Sequence, residues 1–202
     1  MKKQYRWKFL REGMKSNSGN ETWKIGEWKT FRGNLVMCER GFHCSKGIWQ
    51  AFSYVQGEIL AKVEVSGKHE VQNDKEVWEK MKIVKAYKWQ KKDSVALAIY
   101  AAELVIDIYE KQYPNDDRPR KAIEAAKTYL KSPTDKNRQA AARAAGAAWA
   151  AWAAWAAAEA AAEAAAGAAW AAGAAGAAAE AATIKKIAQW MDDRVISLEK
   201  IK

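Results

Sequence analysis

Short runs of alternating apolar and polar residues fill the first half of the chain, and a 3.6-residue period takes over near residue 93. The period-two runs "YRWKFLRE" (5–12), "NLVMCE" (34–39), "EILAKVEVSG" (58–67) and "KIVKAYKW" (82–89) predict strands. Between the second and third, "SKGIWQAFSYV" places Ile48, Ala51, Phe52 and Val55 at helical spacing. From Asp93 the stretch "DSVALAIYAAELVIDIYEKQY" predicts a helix capped by Asp93 or Ser94 and stopped by Pro114. A second helix starts near "DDRPRKAIEAAKTYL", with Pro119 in its first turn, and "KSPTD" breaks the chain after it. Thr134 or Asp135 can cap the alanine-rich stretch that follows, and "IKKIAQWMDDRVISLEKI" predicts a last amphipathic helix.

The stretch from 140 to 182 holds 31 alanines in 43 residues, so helix propensity alone predicts helix there. As one rod it would run roughly 65 Å at 1.5 Å per residue, against a radius of gyration of about 17 Å for a compact chain of this size. A break is therefore expected at Gly167, or at Gly173 and Gly176. The expected fold class is α+β: a small α+β domain over 1–92, followed by an all-α, alanine-rich antiparallel helical bundle over 93–202. At 100° per residue Trp149, Trp152, Trp155, Glu159 and Glu163 share an arc of about 120°. The remaining alanine face lets helices approach near the lower limit of their usual packing distance. The indole arc has three readings: a cover for neighbouring helices, the floor of a ligand pocket, or the centre of a homo-oligomer interface.

Charge separates the halves. Residues 1–92 hold 20 Lys and Arg against 10 Asp and Glu, and residues 93–202 hold 14 against 14, so the net charge of +10 sits in the first half. Anionic partners suit such a module, but the basic residues are scattered along the sequence with no clustered run, which argues against nucleic acid as the partner. Two cysteines, Cys38 and Cys44, make no disulfide framework, and "MKKQYRWKFL" has no apolar core of the kind a signal peptide needs. A cytoplasmic protein of a bacterial host is expected. No membrane span is expected, because alanine is barely apolar on insertion scales and Glu159, Glu163 and Glu180 interrupt the tract.

Catalytic sets are scarce. Two histidines leave no Ser-His-Asp set to assemble, and no phosphate-binding glycine loop is present. Cys38, His43, Cys44 and His69 offer four metal-ligand types, but the C-x4-H-C spacing matches no closed zinc pattern. No metal and no cofactor are expected, and binding is favoured over turnover. Arg118 and Arg120 can hold a phosphate or carboxylate through forked donors, or pair with Asp116, Asp117 or Glu124 at the helix start.

Three resemblances carry functional implications. "YPNDDRPRKAIEAAKTYL" with the alanine-rich helices, about residues 93–185, resembles immunity proteins encoded beside bacterial polymorphic toxins and in prophages. "LVMCERGFHCSKGIWQAFSYVQGEILAKVEVSG" resembles a small domain of unknown function common in phage and prophage proteins. The same stretch is similar to the central part of ADP-ribosyltransferases. Gly41 to Ser45 then stand for the strand that ends in Gly-x-Tyr-Phe-Ser. Ala51 and Tyr54 match the following helix, and Val63, Val65 and Gly67 the next strand. That resemblance implies a nicotinamide-stacking role for His43, and no upstream His or downstream Glu completes the pattern.

Together these imply a phage- or prophage-encoded binding protein in virus–host conflict, an anti-defence sponge for a nucleotide-derived immune signal. The alternatives are an inhibitor or immunity protein that binds a bacterial defence protein, and a divergent transferase. The expected ligand-binding residues are Trp149, Trp152, Trp155 and Trp170 for stacking, with Arg118, Arg120, Arg143 and His43 as polar partners.

Overall fold

A computed structural model describes residues 3–18, 21–55, 57–147 and 170–201, with the side chains of 170–180 left out of the description. The chain divides into two compact units, residues 1–91 with 188–202, and residues 92–187.

The first unit is built on one antiparallel sheet: β1 (Gln4–Leu10), β2 (Trp28–Thr30), β3 (Phe42–Ser45), β4 (Ile59–Gln72), β5 (Lys75–Lys88) and β6 (Lys200–Ile201). β1 pairs with β3 and β4, and β5 pairs with β3 and β4, so these four strands close on one another as a small barrel. β2 and β6 add to β5. The core follows from the alternation that the sequence shows: Leu10, Ile59, Ala61, Val63, Val65, Trp78, Met81, Ile83 and Ala86 are buried on one face. A short helix, α1 (Ile48–Tyr54), lies between β3 and β4. Its Phe52 packs edge-on to Phe9 of β1 at 5.4 Å and near Trp89 at 5.7 Å.

Strand expectations at 5–12, 58–67 and 82–89 correspond to β1, β4 and β5, the last two of which run longer because they form one continuous hairpin turned at Asn73, whose φ is +53°. The stretch 34–39 is not a strand. It holds a tight turn in which Val36 and Arg40 bridge, and the strand follows it at β3.

In the second unit, α2 (Lys91–Glu103) and α3 (Ile106–Gln112) replace the single helix expected from 93 to 113. Val105 leaves helical geometry at φ −124° and ψ −9°, which separates them. α4 (Arg118–Lys131) carries Pro119 in its first turn, and Ile99, Ile106 and Ile123 make a small core with Val95, Ala102, Ala126 and Leu130. A helix is described over 135–147 (α5), and α6 runs Trp170–Arg194.

The expected all-α bundle over 93–202 is not what forms: the molecule is mixed α and β, and its C-terminal half is not an all-α bundle. Residues 188–202 cluster with the sheet instead. The helix predicted up to residue 201 ends at Arg194, passes through a 3-10 turn at Val195–Ser197 and finishes as β6, where Lys200 and Ile201 pair with Tyr87 and Ala86. The edge of β5 offers unpaired backbone groups, and Ile201 packs onto the sheet core, so pairing outweighs the helical pattern there. Nor does the backbone break at Gly173 or Gly176, which lie inside α6; Gly167 lies outside the described residues.

Candidate functional site

A cleft of about 770 Å³ opens on the first unit, walled by β1, β3, α1 and the loops before β2 and β3. β3 positions its centre. Gly41, at φ +114°, sits so close to Val77 that an added Cβ would come within 2.5 Å of that side chain. Only glycine lets the chain turn into β3 there.

His43 half-buries its ring in the cleft wall, where Nε2 accepts the backbone N–H of Cys38 at 2.8 Å. That bond fixes the neutral tautomer and pins the turn in which Cys38 adopts φ +68°. Burial lowers the His43 pKa, the charges of Lys8 and Lys75 lower it further, and the backbone groups of Val36 and Gly41 pull the other way. Since Nε2 is already engaged, the ring is a structural clip rather than a free base.

Lys75 follows from register: it pairs with Ser45 across β3 and β5. Its Nζ donates to Cys38 Sγ at 2.9 Å and lies 4.8 Å from the centre of the Tyr54 ring. The bond to Cys38 raises the Lys75 pKa, so the ammonium is secure at neutral pH. Tyr54 Oη donates to Asp74, and that bond raises the Tyr54 hydroxyl pKa. Trp7 reaches the same wall from β1, through its pairing with Ser45. The wall therefore combines a fixed cation with aromatic faces, an arrangement suited to an anion that carries a ring.

Two further ionisable groups face inward. Lys8 Nζ donates to the His43 carbonyl at 3.0 Å, and burial lowers its pKa, with Cys44 opposing. Burial pushes the Cys44 thiol up to about 12, with the Lys8 charge opposing, so it stays protonated at neutral pH. Neither cysteine is in a disulfide. Among the described residues no group of three or more His, Cys, Asp or Glu side chains could hold a metal ion.

The sequence-derived site residues are not gathered here, apart from His43. Trp149, Trp152 and Trp155 lie outside the described residues, and of Trp170 only the backbone is described. Arg118 engages Asp116 through Nε at 2.7 Å and a terminal nitrogen at 2.6 Å; Arg120 engages Glu110 at 2.7 and 2.6 Å and Asp107 at 3.4 Å. Both guanidinium forks thus hold carboxylates of the α3–α4 corner. Arg143 is exposed on α5. Lys75 and Lys8 were not legible as site residues, because strand register alone brings them to the wall.

The stretch similar to ADP-ribosyltransferases adopts the order strand, helix, strand as β3, α1 and β4, with Val63 and Val65 buried and Gly67 at φ +87°. Residues 5–93 match the family model of a domain of unknown function (DUF7666), a span that runs from Tyr5 of β1 through β5 and leaves out β6. Neither a curated protein nor a solved structure matches the chain.

Proposed function

We propose that the protein binds an anionic, ring-bearing small molecule of the nucleotide class in the cleft of the first unit, without turning it over. The arrangement of Lys75 over Tyr54, beside Trp7 and His43, carries this reading. Phosphate oxygens accept from an ammonium already held in place, so little side-chain entropy is lost on binding. A base or nicotinamide ring takes an aromatic face. The engaged Nε2 of His43 and the protonated thiol of Cys44 leave the wall with holding groups rather than proton-transfer groups. Sequestration of a nucleotide-derived signal in virus–host conflict is the setting we infer, and the phage-associated sequence resemblance is its support.

Thermal unfolding in the presence of millimolar ADP-ribose, cyclic nucleotides and NAD tests the proposal. A ligand at about 100 times its Kd stabilises the folded state by roughly 2.7 kcal/mol. One of these should raise the midpoint by several degrees. Lys75→Glu or Tyr54→Ala should abolish the shift with little change in the apo midpoint, since both side chains lie off the barrel core. No shift with any of them, or a shift that both variants keep, removes the cleft as the site.

A further inference from the structure

The lysines that look scattered in sequence are ordered by the strand register. Across β1, β4, β5 and β2, directly paired residues share a face. Trp7 pairs with Lys62 and Lys62 with Lys85; Tyr5 pairs with Glu64, Glu64 with Lys82, and Lys82 with Trp28; Ser66 pairs with Lys80 and Lys80 with Thr30. The result is an outer face with four ammonium groups, Lys80 and Lys85 exposed and Lys62 and Lys82 half-buried, around the buried carboxylate of Glu64, which Lys82 holds at 2.9 Å. Aromatic rings flank it on both sides. Tyr5 is 43% exposed and Trp28 44%, high values for rings of that size.

Cations and rings on this face already meet. Lys62 Nζ lies 5.2 Å from the Tyr5 ring centre and 5.6 Å from that of Trp7, and Lys82 Nζ lies 4.8 Å from that of Trp28. Each pairing offers a ring face and a positive charge within one nucleotide's reach. An unpaired base can take the ring face while the displaced ammonium swings to the adjoining phosphate. Successive lysines on β5, two residues apart at Lys80 and Lys82, stand about 7 Å apart along the strand. Repeated stacking faces along a cationic track are the features by which sequence-tolerant proteins hold unpaired strands.

We propose that this outer face of the sheet binds single-stranded nucleic acid. The charge complementarity comes from Lys62, Lys80 and Lys85, Lys82 being neutralised by Glu64, and the restriction to single strands comes from Tyr5 and Trp28, whose faces stack on a base only when it is unpaired. A duplex offers this face its phosphates alone. The face borders the cleft at Trp7 but does not rest on it: its charges are Lys62, Lys80 and Lys85 and its stacking rings Tyr5 and Trp28, whereas the cleft uses Lys75 and Tyr54.

Fluorescence anisotropy of a fluorescein-labelled oligothymidine of about 15 nucleotides, titrated with the full chain at low and raised salt, tests it. Wild type should bind the single strand more tightly than a duplex of the same length, with affinity falling as salt rises. The double variants K80E/K85E and K80Q/K85Q should weaken binding tenfold or more. For K80Q/K85Q the log–log salt slope should become shallower by about 1.4, at roughly 0.7 for each phosphate of a single strand that a lysine no longer neutralises. Trp28→Ala should weaken single-strand binding and leave the far-UV circular dichroism spectrum unchanged. Absence of binding at about 50 mM salt, equal affinity for duplex, indifference to the lysine variants, or binding to phosphatidylserine vesicles without binding to the oligonucleotide would each overturn the proposal. Lys75→Glu should leave oligonucleotide binding intact, and a loss as large as that of K80Q/K85Q would overturn the assignment to this face.

Discussion

Arg6, Glu76 and Trp78 form a costly buried polar arrangement in the first unit. Glu76 is 1% exposed, and its Oε2 accepts from Arg6 Nε and from Trp78 Nε1, each at 2.7 Å, while Oε1 is buried without a protein partner. Arg6 also sits 5.7 Å from the Trp78 ring centre, whose far neighbour His69 stacks at 4.0 Å. A carboxylate taken this far out of water is tolerable only with a charged donor beside it. Arg6→Met should therefore destabilise the protein by roughly 3–5 kcal/mol, because a buried charge loses its partner. The double variant R6M/E76M should recover much of that loss, as measured by urea denaturation. Full additivity of the two single changes would show that the pair is not coupled. Nothing in the alternating pattern of "QYRWKFL" or "KEVWEK" announces this arrangement. Pairing across β3, which sets Cys44 opposite Glu76, and the closure of the barrel decide which charged residues end up inside.

At the scale of elements, the α3–α4 corner is pinned by charge rather than by a large core. Asp116 accepts from Arg118 through two side-chain nitrogens, from the Arg118 backbone N–H at 3.1 Å, and from Tyr109 Oη at 2.7 Å. The Arg118 bonds, then the Tyr109 bond, hold its carboxyl far below the ordinary carboxylate range. A group whose folded pKa is depressed stabilises above its unfolded value, and that support goes as pH falls through the folded one. Amide protection over 106–131, taken relative to the intrinsic exchange rate at each pH, should persist at about pH 4, where free carboxylates titrate, and fall only in stronger acid. Asp116→Asn should raise exchange across this segment at neutral pH. Equal protection in both proteins would show that apolar packing around Ile106 and Ile123 alone holds the corner. The cluster "NDDRPR" made an ion-paired helix start legible in advance. The choice of Glu110 and Asp107 as the partners of Arg120 was not, because that depends on how α3 turns back before α4.

For the whole molecule, the last residues matter more than their number implies. Lys88 Nζ meets Glu199 at 2.7 Å, the Lys88 N–H donates to the Glu199 carbonyl at 2.9 Å, and Ile201 packs on the barrel core. Removal of residues 198–202 should cost roughly 1–3 kcal/mol, from the half-buried Ile201 side chain and the lost backbone bonds to β5, with little from the exposed ion pair. Thermal unfolding followed by tryptophan fluorescence reads this directly. An unchanged midpoint would mean that β6 merely rests on β5.

Along the chain, the residues by themselves determined much. Alternation marked β1, β4 and β5, helical spacing marked α1, Pro119 marked the start of α4, and alanine content marked helix over the alanine-rich part of α6 that is described. Such features depend on neighbours a few positions apart, so a linear pattern carries them. The tertiary structure alone decided the rest. It closed the strands into a barrel and turned the last helical-looking residues into β6. It brought Lys75 beside Cys38 and Tyr54, and it collected Lys62, Lys80, Lys82 and Lys85 on one face with Tyr5 and Trp28. Those outcomes are set by which strands hydrogen-bond and in what register, and a register is a property of two distant segments at once.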